Sequence, residues 1–205
     1  MVIAGAGGHA LEVLDVLISK NMASRVLFYD DLSKNTYFQE TYPVVKNKEE
    51  LSLRFKEDPH FIIGVGDCKA RKYFHELFES LGGKHLAIHA KTSIISDFAQ
   101  LNQTDVFNFC FIGSNVISGK GTMINSGSQV HHEVQIGQFS NINPGVQLIG
   151  KCHIGDNCSI GTGAIVLPKI KIGNNVTVGA GTVVTKDVPD NCTLVGVPGK
   201  IIKIS

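Results

Sequence analysis

The chain has 205 residues, enough to bury a sizeable core as one domain or two small ones. Its 19 Lys and Arg against 18 Asp and Glu leave a formal net charge of +1, which gives no electrostatic footing for nucleic acid or an anionic membrane. No apolar run approaches the roughly 18 residues of a membrane span and no signal-peptide pattern opens the chain, so a cytoplasmic protein is expected.

The first predicted element is a short strand, Val2 to Ala4, followed by Gly5-Ala6-Gly7-Gly8-His9 and a helix with Leu11, Leu14, Leu17 and Ile18 on one face. A second strand, Val26 to Tyr29, ends in Asp30-Asp31, and a third, Phe61 to Val65, ends in Gly66-Asp67. A helix from about Lys69 to Ser80 follows, with Tyr73, Leu77 and Phe78 as its expected buried side. Strand, glycine turn and helix open a βαβ unit, and each strand delivers glycine or carboxylate at its carboxyl end, where open α/β sheets bind ligands. The glycine turn has two readings. Bare backbone lets amides at a helix N-terminus approach an anionic or hydroxylated ligand, or glycine merely supplies positive φ in a tight turn. The spacing is not a full GxGxxG, because Leu11 and Glu12 follow, but Asp30 lies about 20 residues downstream, where a Rossmann-type unit places its ribose carboxylate. Only three short strands fit before residue 85, so a half-Rossmann sheet is expected, with room for a nucleoside diphosphate at most. The expected domains are 1–85 and 86–205.

From Ile112 to Val178 a six-residue spacing takes over: positions 112, 118, 124, 130, 136, 142, 148, 154, 160, 166, 172 and 178 are Ile, Val or Leu, except Ser118. The next residue is often Gly or another turn-tolerant residue, as in Gly113, Asn125, Gly155 and Gly173, and is read as the turn position. Four residues after each stands something small or β-branched, such as Val116, Val134, Cys152, Cys158 and Ala164. This period suits neither an amphipathic helix nor a long strand; it suits a short strand and a turn repeated around a triangular coil, a parallel β-helix with three hexads per coil. The five cysteines (Cys68, Cys110, Cys152, Cys158, Cys192) are odd in number, lack zinc-like spacing and are expected to be reduced, offering no competing nucleophile.

One segment breaks the pattern. After Val130 come His131, His132 and Glu133, a titratable group able to serve as a base with a carboxylate partner, or three solvated turn residues. On alternating strand faces neighbours point apart, so a working pair requires the turn to re-aim one of them.

Several motifs together resemble one family: Gly5-Ala6-Gly7-Gly8-His9, Asp30-Asp31, Ile63-Gly64-Val65-Gly66-Asp67 with Arg71, the hexads from 112 to 182, His132-Glu133 and the closing Val195-Gly196-Val197-Pro198-Gly199-Lys200. The chain resembles, over nearly its whole length, the sialic acid O-acetyltransferase and nucleotide-sugar N-acetyltransferase group of the hexapeptide-repeat acyltransferases. The resemblance implies an α/β N-terminal half-Rossmann domain that binds a nucleotide sugar, followed by a left-handed parallel β-helix. It implies His132 as general base with Glu133 as its carboxylate. Sugar-nucleotide contacts fall on Gly7, Gly8, His9, Asp30, Asp31 and Gly66, acetyl-CoA contacts on Asn141, Thr162 and Ala180, and Gly150 lies close to acceptor and thioester. Asn141 stands where some relatives carry His, Gly7 where some carry Ser, and His131 is a rival for base. Further implications are acetyl-CoA as co-substrate, no metal, and a homotrimer with active sites between subunits. The substrate class implied is a UDP-linked 4-amino-4,6-dideoxyhexose of bacterial surface-glycan synthesis. Acetyl transfer to a sugar or sialic acid hydroxyl is the rival within the class. Outside it stand a metal enzyme of the carbonic-anhydrase kind, for which His131, His132 and His153 lack convincing spacing, and a non-catalytic nucleotide-sugar-binding protein.

Overall fold

A computed structural model describes residues 1–204. The chain divides into two compact units, Met1–Ile88 and the remainder from His89. Among the described residues no helix is long and apolar enough to cross a membrane.

The first unit runs β1 (Val2–Ala4), α1 (Gly8–Ser19), β2 (Leu27–Tyr29), β3 (Tyr37–Phe38), β4 (Tyr42–Val45), α2 (Lys48–Glu57), β5 (His60–Ile63), α3 (Cys68–Ser80) and β6 (Lys84–His85). The sheet order is β3-β4-β2-β1-β5-β6, parallel except for the β3–β4 hairpin. The expectation of three strands falls short: the first unit has six, and the extra ones are mostly two-residue segments too brief to show alternation. Helix α2 was also unanticipated, because Leu51 and Phe55 are its only buried residues. Its start nevertheless carries a signal, since the Asn47 side chain accepts from the Glu50 amide at 2.8 Å, the geometry of an N-cap.

Two helical faces differ from expectation. In α1 the buried residues are Ala10, Val13, Leu14, Val16 and Leu17, while Leu11 and Ile18 are exposed. In α3 Phe78 is buried as expected, but Tyr73 is exposed, and the inner face is otherwise Cys68, Arg71 and His75. Arg71 is tolerated there because its Nη1 donates to the Val65 carbonyl at 3.1 Å and the Ile63 carbonyl at 3.4 Å, just beyond β5. In the core of this unit Phe61, Phe78, Phe55 and Tyr29 form an edge-to-face aromatic cluster, with Phe61 and Phe78 centroids 5.1 Å apart.

The second unit is a parallel β-helix of two-residue strands. Phe111–Ile112, Gln129–Val130, Gln147–Leu148, Ile165–Val166 and Val183–Val184 pair in register, each 18 residues on from the last. Two further ladders build the other sides, through Gln135–Ile136 and His153–Ile154, and through Asn141–Ile142 and Ser159–Ile160. Three hexads therefore make one coil. Inward residues such as Ile112, Val130, Leu148, Ile154 and Ile160 have no exposed surface, and each contributes about 1.5–3 kcal/mol through burial. Ser118, the exception in the row, is buried with its hydroxyl 2.6 Å from that of Thr104.

The turn chemistry differs from the sequence reading. The left-handed residue comes three positions after the buried one, not one: Asn115, Glu133, Lys151 and Lys169 have φ of 59°, 60°, 64° and 66°. Glycine at the first position answers a different need. A Cβ on Gly155 would lie 2.6 Å from the Gly173 carbonyl carbon, and one on Gly161 would lie 2.6 Å from the Ala180 nitrogen, so stacked coils leave no room for a side chain.

Candidate active site

In the first unit the predicted ligand residues gather at one edge of the sheet. Strands β2 and β5 pair on opposite sides of β1, so the chain reverses direction of growth between β1 and β5, the crevice where open α/β sheets bind ligands. The loops after these two strands flank it. Gly5 has φ +93°, and a Cβ there would meet Val65 Cγ1 at 2.5 Å, so the purely structural reading of the glycine turn holds at this position. Gly7, Gly8 and Gly66 are different: none has positive φ, and an added Cβ would meet nothing within 4 Å. Gly7 caps α1 with no side-chain hydrogen bond and no acidic residue in the first turn, whereas α2 and α3 are capped by Asn47 and Asp67. The α1 N-terminus thus carries its positive dipole with no side-chain cap to offset it.

Asp30 holds this edge together. Its Oδ2 accepts from the Ala6 amide at 3.1 Å and its Oδ1 accepts from the Leu32 and Ser33 amides at 3.0 Å, tying the glycine loop to the loop after β2. Asp31 is exposed beside it, and His9 Nδ1 lies 2.9 Å from Glu12 Oε2.

In the β-helix, His132 and Glu133 occupy the turn after Gln129–Val130. The left-handed backbone of Glu133 swings its carboxylate back onto its neighbour, and His132 Nδ1 lies 3.0 Å from Glu133 Oε2. This is the re-aiming a working pair requires. The Glu133 carboxyl is held below the usual carboxylate range, first by its hydrogen bond with His132, against a smaller desolvation effect, and then by Lys151. It is therefore a carboxylate at neutral pH, able to fix the imidazole with its proton on Nδ1 and Nε2 free to accept. Gly150, one coil on from His132, lies directly against that ring: an added Cβ would meet His132 Nε2 at 2.5 Å. His131 sets its ring 5.9 Å from Phe111 instead.

Sequence reasoning missed Lys151, whose Nζ is 3.3 Å from Glu133 Oε1. The signal was available: once a coil is 18 residues, Lys151 must stack on Glu133 as Gly150 stacks on His132. Thr162 and Ala180 also stack on one another, but at a different corner, where the Gly181 amide donates to the Thr162 carbonyl at 2.9 Å. Asn141 is buried on the strand leading to that corner. The side built from Gln129–Val130, Gln147–Leu148 and Ile165–Val166 separates the two corners within one chain.

The five cysteines form no disulfide and are buried. Cys152 precedes His153 directly, yet its thiol faces the core, where burial pushes its pKa up to about 12, while His153 is exposed. That thiol is no nucleophile at neutral pH. Among the described residues no group of three His, Cys, Asp or Glu side chains is placed to hold a metal ion.

A small α/β domain followed in sequence by a parallel β-helix bearing a His–Glu corner defines a class, and known proteins match both parts. Residues 1–78 match the PglD N-terminal domain family, and residues 151–186 match the bacterial transferase hexapeptide family of six repeats. Among solved structures, the acetyltransferase domain of PglB from Neisseria gonorrhoeae FA1090, in complex with acetyl coenzyme A, is similar at 27% identity over 98% of each chain, with a TM-score of 0.91. PerB from Caulobacter crescentus, in complex with CoA and GDP-perosamine, is similar at 26% identity over 98% of this chain and 96% of that one, with a TM-score of 0.89. WeeI from Acinetobacter baumannii AYE matches at 28% identity over 98% of each, with a TM-score of 0.79. The chain is an acyltransferase similar over nearly its whole length to the hexapeptide-repeat enzymes, with an N-terminal domain like that of PglD and a left-handed β-helix.

Proposed function

We propose that the protein transfers the acetyl group of acetyl-CoA to the amino group of a nucleotide-linked sugar, specifically the 4-amino group of a UDP-4-amino-4,6-dideoxyhexose, in the cytoplasm. The observation that carries this reading is the corner itself: His132 Nδ1 bound to Glu133 at 3.0 Å, with Nε2 lying over the bare Cα of Gly150. The acceptor amine attacks the thioester carbonyl, forming the C–N bond, while His132 Nε2 takes the amine proton. Collapse of the tetrahedral intermediate breaks the C–S bond, and the proton leaves with the CoA thiol. A backbone amide near Gly150 is the donor we assign to the oxyanion. No covalent enzyme intermediate is needed.

The N-terminal domain, residues 1–85, holds the nucleotide. The bare glycines at positions 7, 8 and 66 and the uncapped α1 N-terminus favour a diphosphate. His9 and Asp31 are assigned to the sugar nucleotide, and Asp30 acts by shaping the loops. The domain from 86 to 205 holds acetyl-CoA along Asn141, Thr162 and Ala180. Because that corner and the His132 corner lie at opposite ends of one side of the coil, a thioester bound at the first meets a base at the second when the two come from different chains. This favours a homotrimer with its sites between subunits.

The test is thiol release from acetyl-CoA against UDP-, GDP- and dTDP-linked 4-amino sugars and free sialic acid. Turnover confined to an amino sugar supports the proposal. Turnover with sialic acid alone replaces it by O-transfer, and nucleotide-sugar binding without thiol release on any acceptor replaces it by a non-catalytic role.

A further inference from the structure

Both oxygens of Glu133 are engaged. Oε2 faces His132 Nδ1 at 3.0 Å, and Oε1 faces the Lys151 ammonium at 3.3 Å. Lys151 also reaches the pair through its backbone, its amide donating to the His132 carbonyl at 3.0 Å. One residue of the next coil thus grips both members of the pair, and the residue before it, Gly150, is the one whose bareness makes room for the ring.

This arrangement has a chemical consequence. A carboxylate bound to imidazole alone favours the imidazolium form and raises the His pKa. An imidazole that is already protonated cannot act as a base. A fixed ammonium on the far oxygen draws off part of the carboxylate's charge and also repels a second positive charge nearby, so both effects favour the neutral ring. We propose that Lys151 is a positioning residue for acetyl transfer, which holds the Glu133 carboxylate against His132 and opposes build-up of positive charge on that imidazole. The proposal rests on His132 as the general base.

The other groups facing this corner are His131, which precedes the pair, and Gln135, Cys152, His153 and Lys171, which line a depression of about 380 Å³ with Glu133 and Lys151. Of these, the Cys152 thiol stays neutral because burial raises its pKa, Gln135 does not titrate, and His131, His153 and Lys171 are present in every variant compared. Comparing variants at position 151 therefore isolates the ammonium.

The experiment is the pH dependence of kcat/KM for wild type, Lys151→Met, Lys151→Arg and His132→Gln, using acetyl-CoA and the acceptor found by the thiol-release panel. Lys151→Met is expected to raise the pKa of the acid limb by about 0.5–1 unit, lowering the rate at neutral pH several-fold with recovery at higher pH. The KM for acetyl-CoA should hold, and Lys151→Arg should retain the wild-type profile. A wild-type profile in Lys151→Met overturns the proposal, as does a loss that is uniform with pH and also present in Lys151→Arg. Full activity in His132→Gln overturns the general-base reading and the proposal with it, so the two failures are distinguishable.

Discussion

Replacing Gly150 by alanine separates the placement of the base from the stability of the fold. Gly150 does not have positive φ, so alanine is compatible with its backbone. The added Cβ would meet His132 Nε2 at 2.5 Å, Cε1 at 2.6 Å and Cδ2 at 3.1 Å. Ordinary carbon contacts are about 3.5–4.0 Å, so the ring must retreat by about 1 Å. It can do so at little cost to folding, because the His132 side chain is 61% exposed. Misplacing a reacting group by about 1 Å costs on the order of 10²-fold in rate. Gly150→Ala should therefore melt with the wild type while kcat falls about 100-fold, measured by thiol release beside a thermal scan. Wild-type kcat in a correctly folded Gly150→Ala would refute the placement of His132 at the reacting centre.

The contrasting substitution is Gly155→Ala, whose Cβ would lie 2.6 Å from backbone atoms of Gly173. There the coils themselves must part, and a loss of about 1–3 kcal/mol is expected, read as a lower midpoint in denaturant. Ile154→Ala, which empties a site with no exposed surface, should cost about 2–5 kcal/mol by the same assay. Asp30→Ala removes the acceptor for three loop amides, so KM for the nucleotide sugar should rise while KM for acetyl-CoA holds; equal changes in both would contradict its local role. The depressed Glu133 carboxyl fixes a pH dependence. A lowered folded-state pKa means its pairing is fully present above the ordinary carboxylate range and is lost only as pH falls through the lower folded value. The Glu133–His132 pairing should therefore persist through the ordinary carboxylate range and above, and Glu133→Gln, which removes the carboxylate, should lower kcat at neutral pH, read by thiol release.

The β-helix was legible because its period is long, regular and carried by two buried positions per hexad, such as Val130 with Val134 and Ile154 with Cys158. The role of glycine within each hexad was not, since sequence alone cannot separate a left-handed turn from a close coil contact; Gly155 is the second and Lys151 occupies the first. The first unit was less readable. Helix α2 buries only Leu51 and Phe55, and α3 turns Arg71 and His75 inward, so hydrophobic patterning points away from the true faces. The His132–Glu133 pair stood out as a break in the repeat, while Lys151 looked like an ordinary surface cation until the coil length placed it over Glu133.

The most direct test of the account is mass spectrometry of the products formed from acetyl-CoA and a UDP-4-amino-4,6-dideoxyhexose by wild type and by His132→Ala in parallel. The account predicts an N-acetylated nucleotide sugar from the wild type and a rate lower by about 10²- to 10⁴-fold in the variant, with His131→Ala close to wild type. An O-acetylated product would contradict the assigned acceptor. Undiminished N-acetylation by His132→Ala would contradict the assigned base.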